Sequence, residues 1–111
     1  MHDRPTMAEL VEAVREFLER DVMAATDGRV QFHTRVAVNA LGMVERELRD
    51  GPAQAAAHAE RLAALGVGSE AELAAAIRAG DLDDRYDEVK AAVWDTVRDK
   101  LRIANPRYLT P

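Results

Sequence analysis

The chain has 111 residues, a formal net charge of -5 and no cysteine. That length fits one domain with a single core and leaves no room for a second of useful size. Without cysteine, thiol nucleophiles, thiolate metal sites and iron–sulfur clusters are excluded, and the acidic balance argues against general nucleic-acid affinity, which needs clustered cations facing the phosphates.

The opening MHDRPTMAELVEAV has no apolar h-region, and no stretch approaches the roughly eighteen apolar residues of a membrane span. A cytoplasmic protein with no membrane or nucleic-acid partner is the expectation. Charge is uneven: residues 1–27 carry -4, 28–50 carry +1, 51–80 carry -1, 81–97 carry -4 and 98–111 carry +3. An acidic start and a basic end of the last helical segment are what the helix dipole favours.

In chain order, Thr6 followed by Glu9 makes a capping-box start. Met7, Leu10, Val11, Val14, Phe17, Leu18 and Val22 then recur at helical spacing, so a first helix is predicted over about 6–23. Asp27-Gly28 punctuates the chain after it.

The next segment, GRVQFHTRVAVNALGMVEREL, holds Val30, Phe32, Val36 and Val38 at alternate positions, as one face of a strand would. No other segment alternates, and an unpaired strand would strand its backbone donors and acceptors, so a helix is predicted. On that helix Val30, His33, Ala37, Ala40, Leu41, Val44 and Leu48 share the face expected to point inward. Arg35, Asn39, Gly42 and Arg46 line the opposite face.

Gly51-Pro52 is read as a break, with Pro52 in the first turn of a third helix reaching about Leu65. That helix is alanine-rich and thin, so Leu62 and Leu65 must anchor it. Gly66 and Gly68 open a turn, Ser69 with Glu72 makes a second capping box, and a short helix ends at Gly80. Asp81 to Asp84 reads as the cap and acidic first turn of the last helix, whose stripe is Tyr86, Val89, Val93, Val97 and Leu101 with Trp94 beside it. Proline disfavours helical geometry in the residue before it, so the helix should end at Asn105 and leave Pro106-Arg107-Tyr108-Leu109 as an extended tail. The fold class is therefore all-α: a compact bundle of four to five helices, 1–111 as one domain, with an extended C-terminal tail.

The candidate chemistry is sparse. The run DLDDRYDE has the composition of a calcium loop, but Tyr86 stands where the loop needs glycine and Ala92 where it needs the closing glutamate. His2, His33 and His58 lack the i+3 or i+4 partners of zinc or di-metal helices, and no P-loop, GxGxxG or GxSxG motif occurs. No metal and no cofactor are expected. What remains is polar: His33 near an apolar face, the Arg35 and Asn39 pair with Arg46 on the outward face, and Asn105, Arg107 and Tyr108 in the tail. Arginine on a flat helix face, next to Val38 and Gly42, is a residue type that anchors protein contacts. The tail's Tyr108 and Leu109 are expected to dock back on the bundle.

The segments DRPTMAELVEAVREFL, GRVQFHTRVAVNALGMVEREL, IRAGDL and KLRIANPRYL together resemble a bacterial helical family known only as a domain of unknown function. FHTRVAVNAL and NPRYL are the specific parts of the resemblance. Members of that family are typically encoded beside aminoglycoside-phosphotransferase-like kinases and acyl-CoA dehydrogenases, which implies acyl-CoA or related catabolism as a context. The family supplies no catalytic residues, but the resemblance draws attention to His33, Arg35, Asn39, Asn105, Arg107 and Tyr108.

The leading expectation is a non-catalytic helical accessory protein that binds a phosphotransferase-like kinase or an acyl-CoA dehydrogenase. The alternative is a binder of a small carboxylate or phosphate, or an enzyme, using His33 as base with Arg35 or Arg107 as anion holder. Helical phase places His33 and Arg35 about 160° apart, which weighs against it. A third expectation is a homodimer, because the thin alanine-rich helix leaves apolar surface on its neighbours uncovered.

Overall fold

Each regular element of residues 4–109, which are the residues the computed structural model describes, is helical. The chain divides into two units, Met1–Asp50 and Gly51–Pro111.

In the first unit the capping box forms as its spacing predicts. Glu9 N–H donates to Thr6 Oγ1 at 3.1 Å and Thr6 N–H donates to the Glu9 carboxylate at 3.1 Å, satisfying donors that the start of a helix leaves open. Helix α1 spans Met7–Phe17, a π segment follows over Leu18–Val22, and α2 is the single turn Met23–Ala25. The π segment closes on the Met23 N–H to Leu18 carbonyl bond, which shifts the helical phase. Thr26 then leaves helical geometry, and the Gln31 side chain fastens the corner by donating to the carbonyls of Met23 and Thr26, both at 3.0 Å.

Helix α3 spans Gly28–Ala64, so the alternating valines are helical, not a strand. Its inner face differs from the expected one. Thr34 is the one buried residue of this unit among those described, and Val38, Leu41, Gly42, Glu45 and Arg46 are half-buried, while Val30, His33, Ala40, Val44 and Leu48 are exposed. The helix carries apolar residues on two stripes, so hydrophobicity alone did not choose between them. Polar groups on the inner stripe are tolerated because they are satisfied. The Thr34 hydroxyl donates to the Val30 carbonyl at 2.7 Å, and Glu45 accepts from Arg15 of α1. That hydrogen bond is the main reason the Arg15 guanidinium is held above its ordinary range.

The expected break at Gly51-Pro52 does not occur, since α3 passes through Pro52. Proline already has a helical φ, and its cost is one missing N–H donor and crowding of the preceding turn. Alanine, the strongest helix former, follows Pro52 at positions 53 and 55–57 and favours the helix on its C-terminal side, although Gly51 precedes it.

In the second unit α4 spans Glu70–Ala79 and α5 spans Tyr86–Ala104. Ser69 caps α4 as predicted, accepting from Glu72 N–H at 3.1 Å, but Glu72 reaches back to Gly68 N–H, one residue further than a closed box requires. At Gly80, φ is +81°, and the Asp81 N–H donates to the Ala76 carbonyl at 3.0 Å, a left-handed helix end that favours glycine.

Two expectations at the last helix are corrected. Residues Asp83–Arg85 form a 3₁₀ turn, and α5 begins at Tyr86 without a side-chain cap, so Asp81 to Asp84 do not cap it. Leu82, immediately before this turn, is buried. Pro106–Leu109 is a 3₁₀ turn and not an extended tail. The pre-proline restriction acts as expected on Asn105, at φ -156° and ψ 81°, but the proline's own φ suits a 3₁₀ turn.

Among the described residues, the buried apolar ones are Leu62, Leu65 and Leu82, at 5–9% exposure. All three lie in the second unit, and the first two are the anchors expected from the sequence.

Candidate functional site

The second unit has three helical pieces, α3 from residue 51 onward, α4 and α5, and between them lies an open hollow of about 250 Å³. Leu62, Leu73, Ile77, Val93 and Val97 supply its apolar wall. Helix α3 is populated with alanine here, and α4 with Ala74, so the backbones leave space that larger side chains would fill.

One end of the hollow is polar. His58 Nδ1 lies 3.2 Å from Thr96 Oγ1, and His58 Nε2 lies 3.1 Å from the Glu70 carboxylate, which Lys100 Nζ approaches to 3.9 Å. Hydroxyl, imidazole and carboxylate thus form one hydrogen-bonded line drawn from three helical pieces. Thr96 Oγ1 also lies 3.0 Å from the Ala92 carbonyl. A hydroxyl has one proton, so its two contacts exclude each other as donations.

Beside this line, Arg61 donates to Asp99 Oδ2 at 2.9 Å, Arg102 donates to Asp99 Oδ1 at 2.9 Å, and Gln54 donates to the Asp99 carbonyl at 3.0 Å. Arg61 Nε is buried without a hydrogen-bond partner. Among the described residues no three carboxylate, histidine or cysteine side chains cluster as metal ligands would.

Helix α5 presents a second feature on its exposed side. Trp94 is half exposed, and the Arg98 guanidinium sits 5.3 Å from its ring centroid, a cation–π arrangement. Tyr86 is also exposed.

The residues singled out from the sequence are not brought together in one place. His33 is exposed, with its ring edge-on to Phe32 at a centroid distance of 5.4 Å, and it lines a shallow depression with Leu18, Arg29, Val30, Thr34 and Ala37. The inward placement expected for it is therefore corrected. Arg35 and Asn39 are exposed, one turn apart on the same helix. Arg46 is half-buried, not outward, and its guanidinium lies over Gly42, where a Cβ would stand 3.4 Å from Nη1. Asn105 ends α5 by donating its N–H to the Leu101 carbonyl at 2.8 Å. Arg107 is exposed, and Tyr108 is three-quarters exposed rather than docked, because the 3₁₀ turn carries it outward.

His58 was passed over in the sequence because its partners, Glu70 and Thr96, lie 12 and 38 residues away. The available signal was a lone histidine on a helix of alanines, with Leu62 one turn later.

The family model described as a domain of unknown function (DUF6285) matches residues 24–108. No curated protein and no solved structure matches the chain.

Proposed function

The chain belongs to the DUF6285 family, a domain of unknown function, and we propose that it is a non-catalytic, cytoplasmic bacterial accessory protein that works by docking on a larger enzyme. The partner class is a phosphotransferase-like kinase or an acyl-CoA dehydrogenase, the neighbours that the family resemblance implies. The observation that supports docking is the exposed Trp94 with Arg98 over its ring, on the helix that also exposes Tyr86. Tryptophan, tyrosine and arginine are the residues that dominate interface energetics when a partner desolvates them. Arg35 and Asn39, also exposed, are secondary candidates for the same contact.

The test is co-purification of the chain with each purified enzyme class and stoichiometry by native mass spectrometry. Trp94→Ala and Arg98→Glu are each expected to weaken a complex by roughly 30-fold or more, as loss of about 2 kcal/mol at a hot spot does. Failure of the chain to form a stoichiometric complex with either class overturns the reading.

A second reading, binding of a small carboxylate or phosphate, is favoured by the hollow in the second unit. Its polar end is built on His58, Thr96, Glu70 and Lys100, so His58 replaces His33 as the residue to test. Thermal shift against a panel of such anions should respond to His58→Ala and ignore His33→Ala; the reverse would restore His33 to the role.

A further inference from the structure

We infer that the hollow of the second unit binds an aliphatic monocarboxylate of about eight carbons, its chain on the leucine–valine wall and its carboxylate between Arg61 and Lys100. The inference rests on the small-anion reading above and goes further, in giving the ligand an alkyl chain of defined length and a single charge.

Size sets the chain. An apolar cavity of about 150 Å³ takes benzene, with six carbons, so the 250 Å³ of this hollow corresponds to about ten non-hydrogen atoms, the number in octanoate. Away from the polar end the lining is aliphatic throughout. Ile77, Val93 and Val97 line it and yet stay 37–45% exposed, with the short side chains of Ala74 and Ala92 beside them. An alkyl chain seated there withdraws this wall from water, whereas inorganic phosphate leaves it wet.

The polar end sets the head group. Asp99 is engaged through both oxygens, by Arg61 and by Arg102. One Glu70 oxygen serves both His58 Nε2, at 3.1 Å, and Lys100 Nζ, at 3.9 Å. Donors are in surplus. Arg61 Nε is buried without an acceptor, and the Lys100 ammonium, 71% exposed, meets Glu70 only at a distance beyond a hydrogen bond. A carboxylate offers acceptors alone and suits that surplus; an amine does not. With His58 counted as neutral, Arg61, Lys100 and Arg102 exceed Asp99 and Glu70 by one positive charge. A single negative charge balances this excess, and a phosphate dianion overshoots it beside Glu70.

Isothermal titration calorimetry of the whole chain with octanoate, butyrate, octanol and inorganic phosphate tests the assignment. Octanoate is expected to bind once per chain. Butyrate, four methylenes shorter, should bind at least about 30-fold more weakly, because each methylene withdrawn from water is worth about fourfold in affinity. Octanol, without the charge, should bind at least about tenfold more weakly. Lys100→Gln should weaken octanoate by about tenfold and leave octanol unchanged, while Ala74→Leu fills the hollow and should abolish both. Should Ala74→Leu lose helicity, methyl NMR of the wild type decides: octanoate should shift the methyls of Leu73, Ile77, Val93 and Val97 and leave those of Val14 and Val36 in place. Butyrate or phosphate binding as tightly as octanoate overturns the inference and keeps the small-anion reading. Octanol binding as tightly as octanoate, an unchanged Lys100→Gln, or methyl shifts spread over both units also overturns the inference; no binding of any of the three anions overturns both.

Discussion

Residues 51–111 enclose Leu62, Leu65 and Leu82, whereas residues 1–50 leave Met7, Val14, Phe17 and Val30 at least half exposed and bury only Thr34 among the described residues. The difference follows from the number of helical pieces. Three pieces can surround a side chain, but two can cover it from one side only, so a helix pair holds itself by its edges: a capping box, a glutamine across a corner, an arginine–glutamate contact. Apolar burial is the dominant favourable term in folding.

The sharpest way to break this comparison is to delete core atoms on each side of it. Leu65→Ala should cost about 2–5 kcal/mol, the range for a leucine truncated in a packed core, read as a drop in urea midpoint. Val14→Ala, measured in dilute protein, should cost no more than about 0.5 kcal/mol, as at exposed positions. Equal costs would mean that the first unit has an internal core after all.

A smaller effect is expected from the polar scaffold of the second unit. Asp99→Asn removes the charge that Arg61 and Arg102 share, at a side chain only 15% exposed, and should lower stability by roughly 1–3 kcal/mol. A neutral result would assign the stability of this unit to its leucines alone. Thr6→Ala and Ser69→Ala each remove an N-cap, at about 1 kcal/mol each. Because the first unit has little else holding α1, the Thr6 variant should also raise amide exchange along the whole of α1, while the Ser69 effect stays in the first turn of α4.

The smallest effect concerns pH. Arg85 hydrogen-bonds the Glu88 carboxylate at 2.5 Å and holds its pKa below the ordinary glutamate range. A carboxylate with a depressed folded pKa contributes stability above its unfolded pKa and loses it as pH falls through the folded value. The Glu88 carboxylate is exposed to solvent, so the contribution is slight. Carbon-detected NMR titration should nevertheless place the Glu88 midpoint low and return it to the ordinary range in Arg85→Gln; an unchanged midpoint would assign the shift to another source.

Much of the backbone was legible from nearest neighbours. Thr6 with Glu9, Ser69, Gly80 and Asn105 mark element ends because a cap is decided within a few residues. Leu62 and Leu65 were legible as anchors because alanine surrounded them. Pro52 misled, since a proline's cost depends on whether its neighbours favour helix strongly enough to absorb a lost hydrogen bond. The acidic run before α5 misled because Asp83 and Asp84 lie in a 3₁₀ turn and no side chain caps the helix that follows.

The sequence by itself determined an all-helical chain, its caps and its leucine anchors, because those depend on interactions spanning about one helical turn. Only the tertiary structure decided which of two apolar stripes of α3 faces α1, and that His58 meets a threonine 38 residues away and not a ligand partner on its own helix. Both outcomes depend on where neighbouring helices lie. Helical periodicity states which residues share a face, and it cannot state what that face meets.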